Sequence, residues 1–213
     1  MRNGDNVENF QILTDKEINY ILKSDYTPTL LLHSCCAPCS TYVLEYLSQY
    51  FKITVYYYNP NIYPPEEFNK RTEEQGRLIK NMKYKNRVSF VPCDYDSEMF
   101  YNAVKGLESI PEGGKRCEEC FKLRLRKTAE YAKSNNYDYF TTTLSISPLK
   151  NSKILNEIGK SLSFEFGVKY LYSDFKKKNG YKRSCELSRE YDLYRQNYCG
   201  CVFSMKEAEG RNK

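Results

Sequence analysis

Apolar residues recur along this chain in two alternating rhythms. Thr29, Leu30, Leu31, Leu32, His33 and Ser34 make an apolar run of strand length, and Val43, Leu44, Leu47 and Tyr50 then return at helical spacing. Residues 53–58 are β-branched and aromatic and run into Asn59-Pro60-Asn61, which predicts a second strand ending in a turn. Pro65 opens a charged helix that reaches about Met82. Residues 88–91 read as a third strand, and a short helix follows over 98–104. The loop Pro111-Glu112-Gly113-Gly114-Lys115-Arg116 feeds a helix from about Cys117 that carries Phe121, Leu125 and Ala129 inward. Residues 137–142 form a fourth strand and 145–151 a loop. Ile154, Leu155, Ile158 and Leu162 line a further helix, and 168–172 form a fifth strand ending near Asp174. Thr14 and Glu17 have the spacing of a capping box before an N-terminal helix.

Strands alternating with helices predict an α/β protein: a Rossmann-like (HUP-like), mostly parallel sheet with helices on both faces. The expected organisation is an N-terminal extension over 1–28, a single α/β metalloenzyme domain over 29–204 and a frayed polar tail over 205–213. Ligands of such sheets sit beyond the carboxyl ends of the strands. Cys35 and Cys36, Asn59 and Asn61, Cys93 and Asp94, Thr143 and Ser145, and Asp174 each follow a predicted strand, so they are expected to converge.

Length and charge add bounds. A chain of 213 residues has room for one domain with a sizeable core. Lys and Arg number 33 against 27 Asp and Glu, a net charge of +6 that fits a polyanionic partner and equally an ordinary lysine-rich protein. The first 14 residues have no apolar signal core, and no stretch approaches the about 18 apolar residues of a membrane span. A cytoplasmic protein with no membrane partner is expected. In that compartment thiols stay reduced, so clustered cysteines read as metal ligands or redox groups.

Seven of the nine cysteines fall in three groups: Cys35-Cys36-Ala37-Pro38-Cys39, Cys117-Glu118-Glu119-Cys120 and Cys199-Gly200-Cys201. A zinc site or a cubane cluster consumes about four thiolates, so the surplus points to a second metal. Cys117 and Cys120 stand at a helix start, where amides and dipole favour thiolate. Gly200 lets the backbone between two sulfurs approach a cluster closely. Adjacent Cys35 and Cys36 are expected to point in different directions from an extended backbone, one toward a cluster and one toward a second metal. Cys93 and Cys185 stand alone and read as small buried hydrophobes. His33, the only histidine, reads as a satisfied structural residue at a strand end.

Two readings compete. Cys36 and Cys39 between a strand and a helix match a thioredoxin-like thiol–disulfide oxidoreductase, which leaves five clustered cysteines without a role. A zinc-stapled RNA-binding module would use the thiols structurally. Position 42 is Tyr, so the CxxxCxxC pattern of radical enzymes fails, and no phosphate loop follows the first strand, so no nucleotide cofactor is expected. The basic run 176–183, with Lys177, Lys178 and Lys182, and the helical Lys122, Arg124, Arg126 and Lys127 are placed to track a phosphate backbone, or else form a solvated face.

Five segments taken together carry a resemblance. His33-Ser34-Cys35-Cys36-Ala37-Pro38-Cys39, Tyr58-Asn59-Pro60-Asn61-Ile62, residues 111–121, Thr142-Thr143-Leu144-Ser145-Ile146-Ser147-Pro148 and residues 194–201 closely resemble the epoxyqueuosine reductase QueH family over about residues 29–204. The resemblance implies an iron–sulfur enzyme that reduces epoxyqueuosine to queuosine at the tRNA wobble base without cobalamin. It implies a [4Fe-4S] cluster beside a second, mononuclear iron. Candidate cluster ligands are Cys35, Cys36, Cys117, Cys120, Cys199 and Cys201, with Cys39 joining them as a metal ligand. Asn61, Arg116, Ser145, Lys177, Lys178 and Lys182 are candidate substrate contacts, and Asp94 is the candidate proton donor. An external low-potential donor such as ferredoxin or flavodoxin would supply electrons.

Overall fold

A computed structural model of the chain describes residues 9–211. Five parallel strands form its sheet: β1 (Thr29–His33), β2 (Lys52–Tyr57), β3 (Val88–Pro92), β4 (Tyr139–Thr142) and β5 (Lys169–Tyr170), in the spatial order β3-β2-β1-β4-β5. The order reverses between β1 and β4, which makes the carboxyl ends of those two strands the switch point where ligands of open α/β sheets bind. Register brings His33 level with Tyr56 of β2 and Thr142 of β4 at that edge.

The alternation in the strands divides two cores. Leu30, Leu32, Ile53 and Val55 face one side, where α2 (Ala37–Leu47) and α3 (Pro65–Asn81) cover them with Val43, Leu44, Leu47 and Leu78. Leu31, Tyr56 and Phe140 face the other, under Phe121, Leu125 and Ala129 of α5 (Lys115–Ser134) and Leu155, Ile158 and Leu162 of α6 (Ser152–Phe166). Helices therefore cover both faces, as the pattern predicts. A short helix, α4 (Ser97–Ala103), precedes α5, and α7 (Gly180–Glu190) packs on α2.

Local chemistry sets the boundaries. Pro65 opens α3, with Glu66 and Glu67 in its first turn and Lys80 in its last, each complementing the helix dipole. Asn151 caps α6 by accepting from the amides of Lys153 and Ile154, and Gly167 closes it in the left-handed conformation, φ 68°.

Three expectations are corrected. The N-terminal helix α1 is Phe10–Ile21, capped by Asn9; Thr14 lies inside it, where its hydroxyl donates to Phe10 O at 3.0 Å and Tyr172 O at 2.7 Å. Strand β5 is shorter than 168–172 because the Thr141 hydroxyl takes the Leu171 carbonyl at 2.8 Å in place of a ladder amide. Residues 205–211 of the expected frayed tail belong to α8 (Val202–Arg211), whose Glu207 pairs with Arg116 at 3.1 Å, and 212–213 lie outside the described residues. No helix among the described residues is long and apolar enough to cross a membrane.

Candidate metal centre

The first cysteines sit where β1 passes into α2. Ser34, just before them, is held from β2 and the turn after it: Ser34 N donates to Tyr56 O at 3.1 Å, and Asn59 Nδ2 donates to Ser34 O at 2.8 Å. Cys36 is the extended N-cap residue of α2, and Pro38 in the first turn starts the helix. Cys39 follows one turn in. The sulfurs of Cys35, Cys36 and Cys39 all lie within 4.8 Å of one another, and Cys35 Sγ and Cys36 Sγ are 3.8 Å apart. Adjacent Cys35 and Cys36 thus converge instead of diverging, because the chain turns from strand to helix between them. A tetrahedral ion with metal–thiolate bonds of about 2.3 Å has edges of about 3.8 Å, so this triad has the spacing of one ion's ligands.

The three thiols differ in how readily they ionise. Cys35 lies well below the usual thiol range, chiefly because Cys36 and Cys39 donate to it, and the same contact, with burial, pushes Cys36 up to about 12. Cys39 is likewise raised by its neighbours and by burial. Cys36, 1% exposed, is therefore not the accessible low-pKa nucleophile that a thioredoxin-like dithiol requires.

The second set comes from α5 and from the turn before α8. The Cys117 sulfur accepts from the Gly113 amide at 3.2 Å, but burial outweighs that bond and raises the thiol; burial pushes Cys120 up to about 12. The expected thiolate preference of the helix start is thus overcome by desolvation, and only a bound cation would reverse it. Cys120 and Cys201 pack in one apolar cluster with Phe100 and Val104. Cys117 and Cys120 both feel the charges of Cys199 and Cys201. The Cys199–Cys201 turn is fixed by Gly200 N on Ser204 Oγ at 3.3 Å, Tyr63 N on Gly200 O at 2.8 Å and Arg71 Nη1 on Cys199 O at 3.3 Å.

Two cations that sequence reasoning did not assign to the site face both sets. Burial opposes the charge of Arg124, and the neighbouring sulfurs of Cys120, Cys199, Cys35 and Cys117 favour it where they are ionised. Arg124 lies four residues after Cys120 on the inward stripe of α5, the signal that separates it from the solvated basic face read from the sequence. Half-buried Lys150 is held above the usual lysine range, against burial, by Cys199, Cys35 and Cys39. It stands two residues beyond the Ser145-Ile146-Ser147-Pro148 segment. With Cys35, Cys39, Cys199, Tyr181 and Tyr198 it lines a crevice of about 210 Å³.

The remaining candidates separate. Asn61 is buried beside Gly200 with Oδ1 unpartnered among the described residues. Ser145 is buried and bonds Ser173 at 2.9 Å. Arg116 is buried, donates to Glu108 O at 2.9 Å and pairs with Glu207. Asp94 is exposed after the edge strand β3 and does not line the crevice. Lys178 pairs with Asp15 at 2.7 Å, whereas Lys177 and Lys182 are exposed without an ion pair among the described residues. His33, fully buried, stays neutral: burial lowers its pKa to about 3, and its nitrogens meet Thr142 Oγ1 at 2.9 Å and Tyr58 O at 3.2 Å.

A parallel α/β sheet with thiols gathered at its switch point defines a Rossmann-like protein with a cysteine-rich redox or metal centre. Comparison with known proteins makes the class specific. The family model described as epoxyqueuosine reductase QueH matches residues 30–207. An epoxyqueuosine reductase QueH of Streptococcus pyogenes serotype M1 is 48% identical over 186 residues, 86% of this chain and 73% of that protein. A protein of the same name from Staphylococcus epidermidis is 42% identical over 206 residues, 93% and 87% of the two chains. The one from Thermotoga maritima is 37% identical over 185 residues, 84% and 91%. The chain belongs to the epoxyqueuosine reductase QueH family, a family of oxidoreductases.

Proposed function

We propose that this protein is a cytoplasmic enzyme that reduces epoxyqueuosine to queuosine at the wobble position of tRNA, using a [4Fe-4S] cluster and an additional iron held by its seven clustered cysteines. The observation that carries this reading is the Cys35, Cys36 and Cys39 triad at the β1/β4 switch point, beside a crevice that Cys199 also lines, with Cys117 and Cys120 in electrostatic reach of Cys199 and Cys201. The donor set fits the groups: a triad with the spacing of one ion's ligands, and four more thiols, of which Cys117 and Cys120 are kept from ionising by burial until a cation binds. Cys117 and Cys120 serve the cluster and Cys39 the additional iron, with Cys35, Cys36, Cys199 and Cys201 completing the two.

Removing an epoxide oxygen as water takes two electrons and two protons and leaves a carbon–carbon double bond. Bound iron and cluster supply the electrons and a Lewis acid for the oxygen. The chain's own groups do the rest. Lys150 holds a proton at Nζ in the crevice wall, a placement that suits proton delivery better than that of Asp94. Arg71, over the Tyr198 ring at 5.0 Å and bonded to Cys199 O, orients the wall opposite the triad. Exposed Lys177 and Lys182 on the α7 side meet the tRNA backbone, and a small acidic carrier such as ferredoxin or flavodoxin provides electrons.

Anaerobic purification with iron and acid-labile sulfide analysis tests the reading. Wild type should carry more than four irons with about four sulfides and convert epoxyqueuosine-containing tRNA when given a strong reductant. Cys39→Ala should lose iron while keeping sulfide, and Cys120→Ala should lose both. Zinc without sulfide in wild type would overturn the reductase mechanism in favour of the zinc-stapled module.

A further inference from the structure

Among the described residues three arginines are buried, and only two of these have a counter-ion. Arg71 pairs with Glu67 at 2.7 Å and Arg116 with Glu207 at 3.1 Å, while no carboxylate among the described residues pairs with Arg124, which is 2% exposed. Its Nε donates to the Cys120 carbonyl at 3.2 Å and its Nη1 reaches Asn59 Oδ1 at 3.5 Å. Nη2 is buried with no partner among the described residues. A buried cation without a counter-ion costs several kcal/mol, and a cation of this kind persists where something anionic is bound against it.

The surroundings say where that charge lies. Arg124 shares the inner face of α5 with Cys120, and the groups that stabilise its charge are the thiols of both cysteine sets. The other titratable groups facing it are His33, which its charge helps to keep neutral, and Lys150, also a cation.

We propose that Arg124 is the built-in counter-ion of the iron–sulfur centre, with Nη2 donating a hydrogen bond to a sulfur of that centre, and that it makes the centre easier to reduce. The inference rests on the iron–sulfur reading given above. When the centre accepts an electron from the external donor its negative charge grows, and a fixed positive charge with a hydrogen bond to sulfur favours the reduced form. The guanidinium keeps its protons throughout, so its role is electrostatic, and no bond in the chain is made or broken.

Two variants, Arg124→Met and Arg124→Lys, test this by redox titration of the anaerobic holoprotein, followed by the paramagnetic signal of the reduced cluster, and by thermal unfolding of the metal-free proteins. The cluster of Arg124→Met should titrate at a more negative potential than wild type, and that of Arg124→Lys, which keeps the charge but not the fork, in between. Metal-free Arg124→Met should melt at or above metal-free wild type, because the substitution removes an uncompensated charge. A wild-type potential in Arg124→Met overturns the proposal, as does a metal-free melt well below wild type, which would make Arg124 a packing residue. If Arg124→Met takes up no cluster, Arg124→Lys decides: loading supports the charge requirement and failure to load overturns it. Wild type without sulfide removes the iron–sulfur reading itself, whereas loaded wild type beside an unshifted variant removes only the assignment of Arg124.

Discussion

Gly200 shows how much a single position can carry. Its φ of 143° lies in the region that favours glycine, and a Cβ there would meet Asn61 Nδ2 at 3.2 Å and Ile62 Cγ1 at 3.3 Å. Both its amide and its carbonyl are bonded, to Ser204 Oγ and from Tyr63 N, so the Cys199–Cys201 turn has little freedom to move away. Gly200→Ala should cost about 1–3 kcal/mol of stability and lower iron content, read by thermal unfolding and metal analysis of the anaerobic protein; an unchanged melt with full iron would show that the turn tolerates a side chain. A need for glycine at position 200 was legible in the sequence, but the close approach it allows in the structure is to Asn61 and Ile62, which no local pattern records. The convergence of Cys35 and Cys36 was not legible. The rule that neighbours on an extended chain diverge is local, and the start of the turn into α2 that overrides it is held by Tyr56 of β2 and Asn59 of the turn after it.

Among the elements, β4 depends on one carboxylate at the opposite end of the sheet from the cysteine triad. Asp138 Oδ2 accepts from Thr29 N at 2.8 Å, Thr29 Oγ1 at 2.8 Å and Tyr26 OH at 3.0 Å, tying the start of β4 to the start of β1. That tie fixes the register that pairs His33 with Thr142 at the other end, and a slip of one residue would turn the inward side chains outward. Burial raises the Asp138 pKa, but the bonds from Thr29 and Tyr26 outweigh it and leave it below the ordinary 3.8. A lowered carboxylate pKa adds stability above the unfolded value, and that stability disappears as pH falls through the folded one. Asp138→Asn should therefore cost about 1–2 kcal/mol at neutral pH and show a smaller loss of stability below about pH 4 than wild type, measured by denaturant unfolding across pH. Strand and helix identities were legible because their periodicities reflect burial on two faces. The misplaced N-terminal cap was not, since Thr14 is engaged by Tyr172, 158 residues away, and no local pattern records that bond.

At the scale of the whole molecule, net charge is a poor guide to where a polyanion binds. Of the basic positions, Lys122, Arg126 and Lys127 pair with Glu119, Glu165 and Glu130, and Arg183 pairs with Glu45. Lys176 turns inward, bonding Asp174 at 2.8 Å and the Ser145 carbonyl at 2.8 Å, so it braces the loop that presents Lys150. Of the basic run 176–183, Lys177 and Lys182 remain exposed without an ion pair among the described residues, adjoining in sequence the exposed Tyr181 of the crevice wall, and exposed Arg195 lines the crevice itself. A lysine already neutralised by Asp15 releases fewer counterions from RNA than one facing water, because part of its charge is spent within the protein. Lys177→Ala and Lys182→Ala should each weaken tRNA binding and reduce the slope of log affinity against log salt by about 0.7–0.9 per lost phosphate contact, while Lys178→Ala changes the slope less. Titrations at several salt concentrations check this. Equal slopes for all three variants would mean that the ion pair with Asp15 opens when tRNA arrives, and unchanged slopes throughout would place the RNA on another face of the protein.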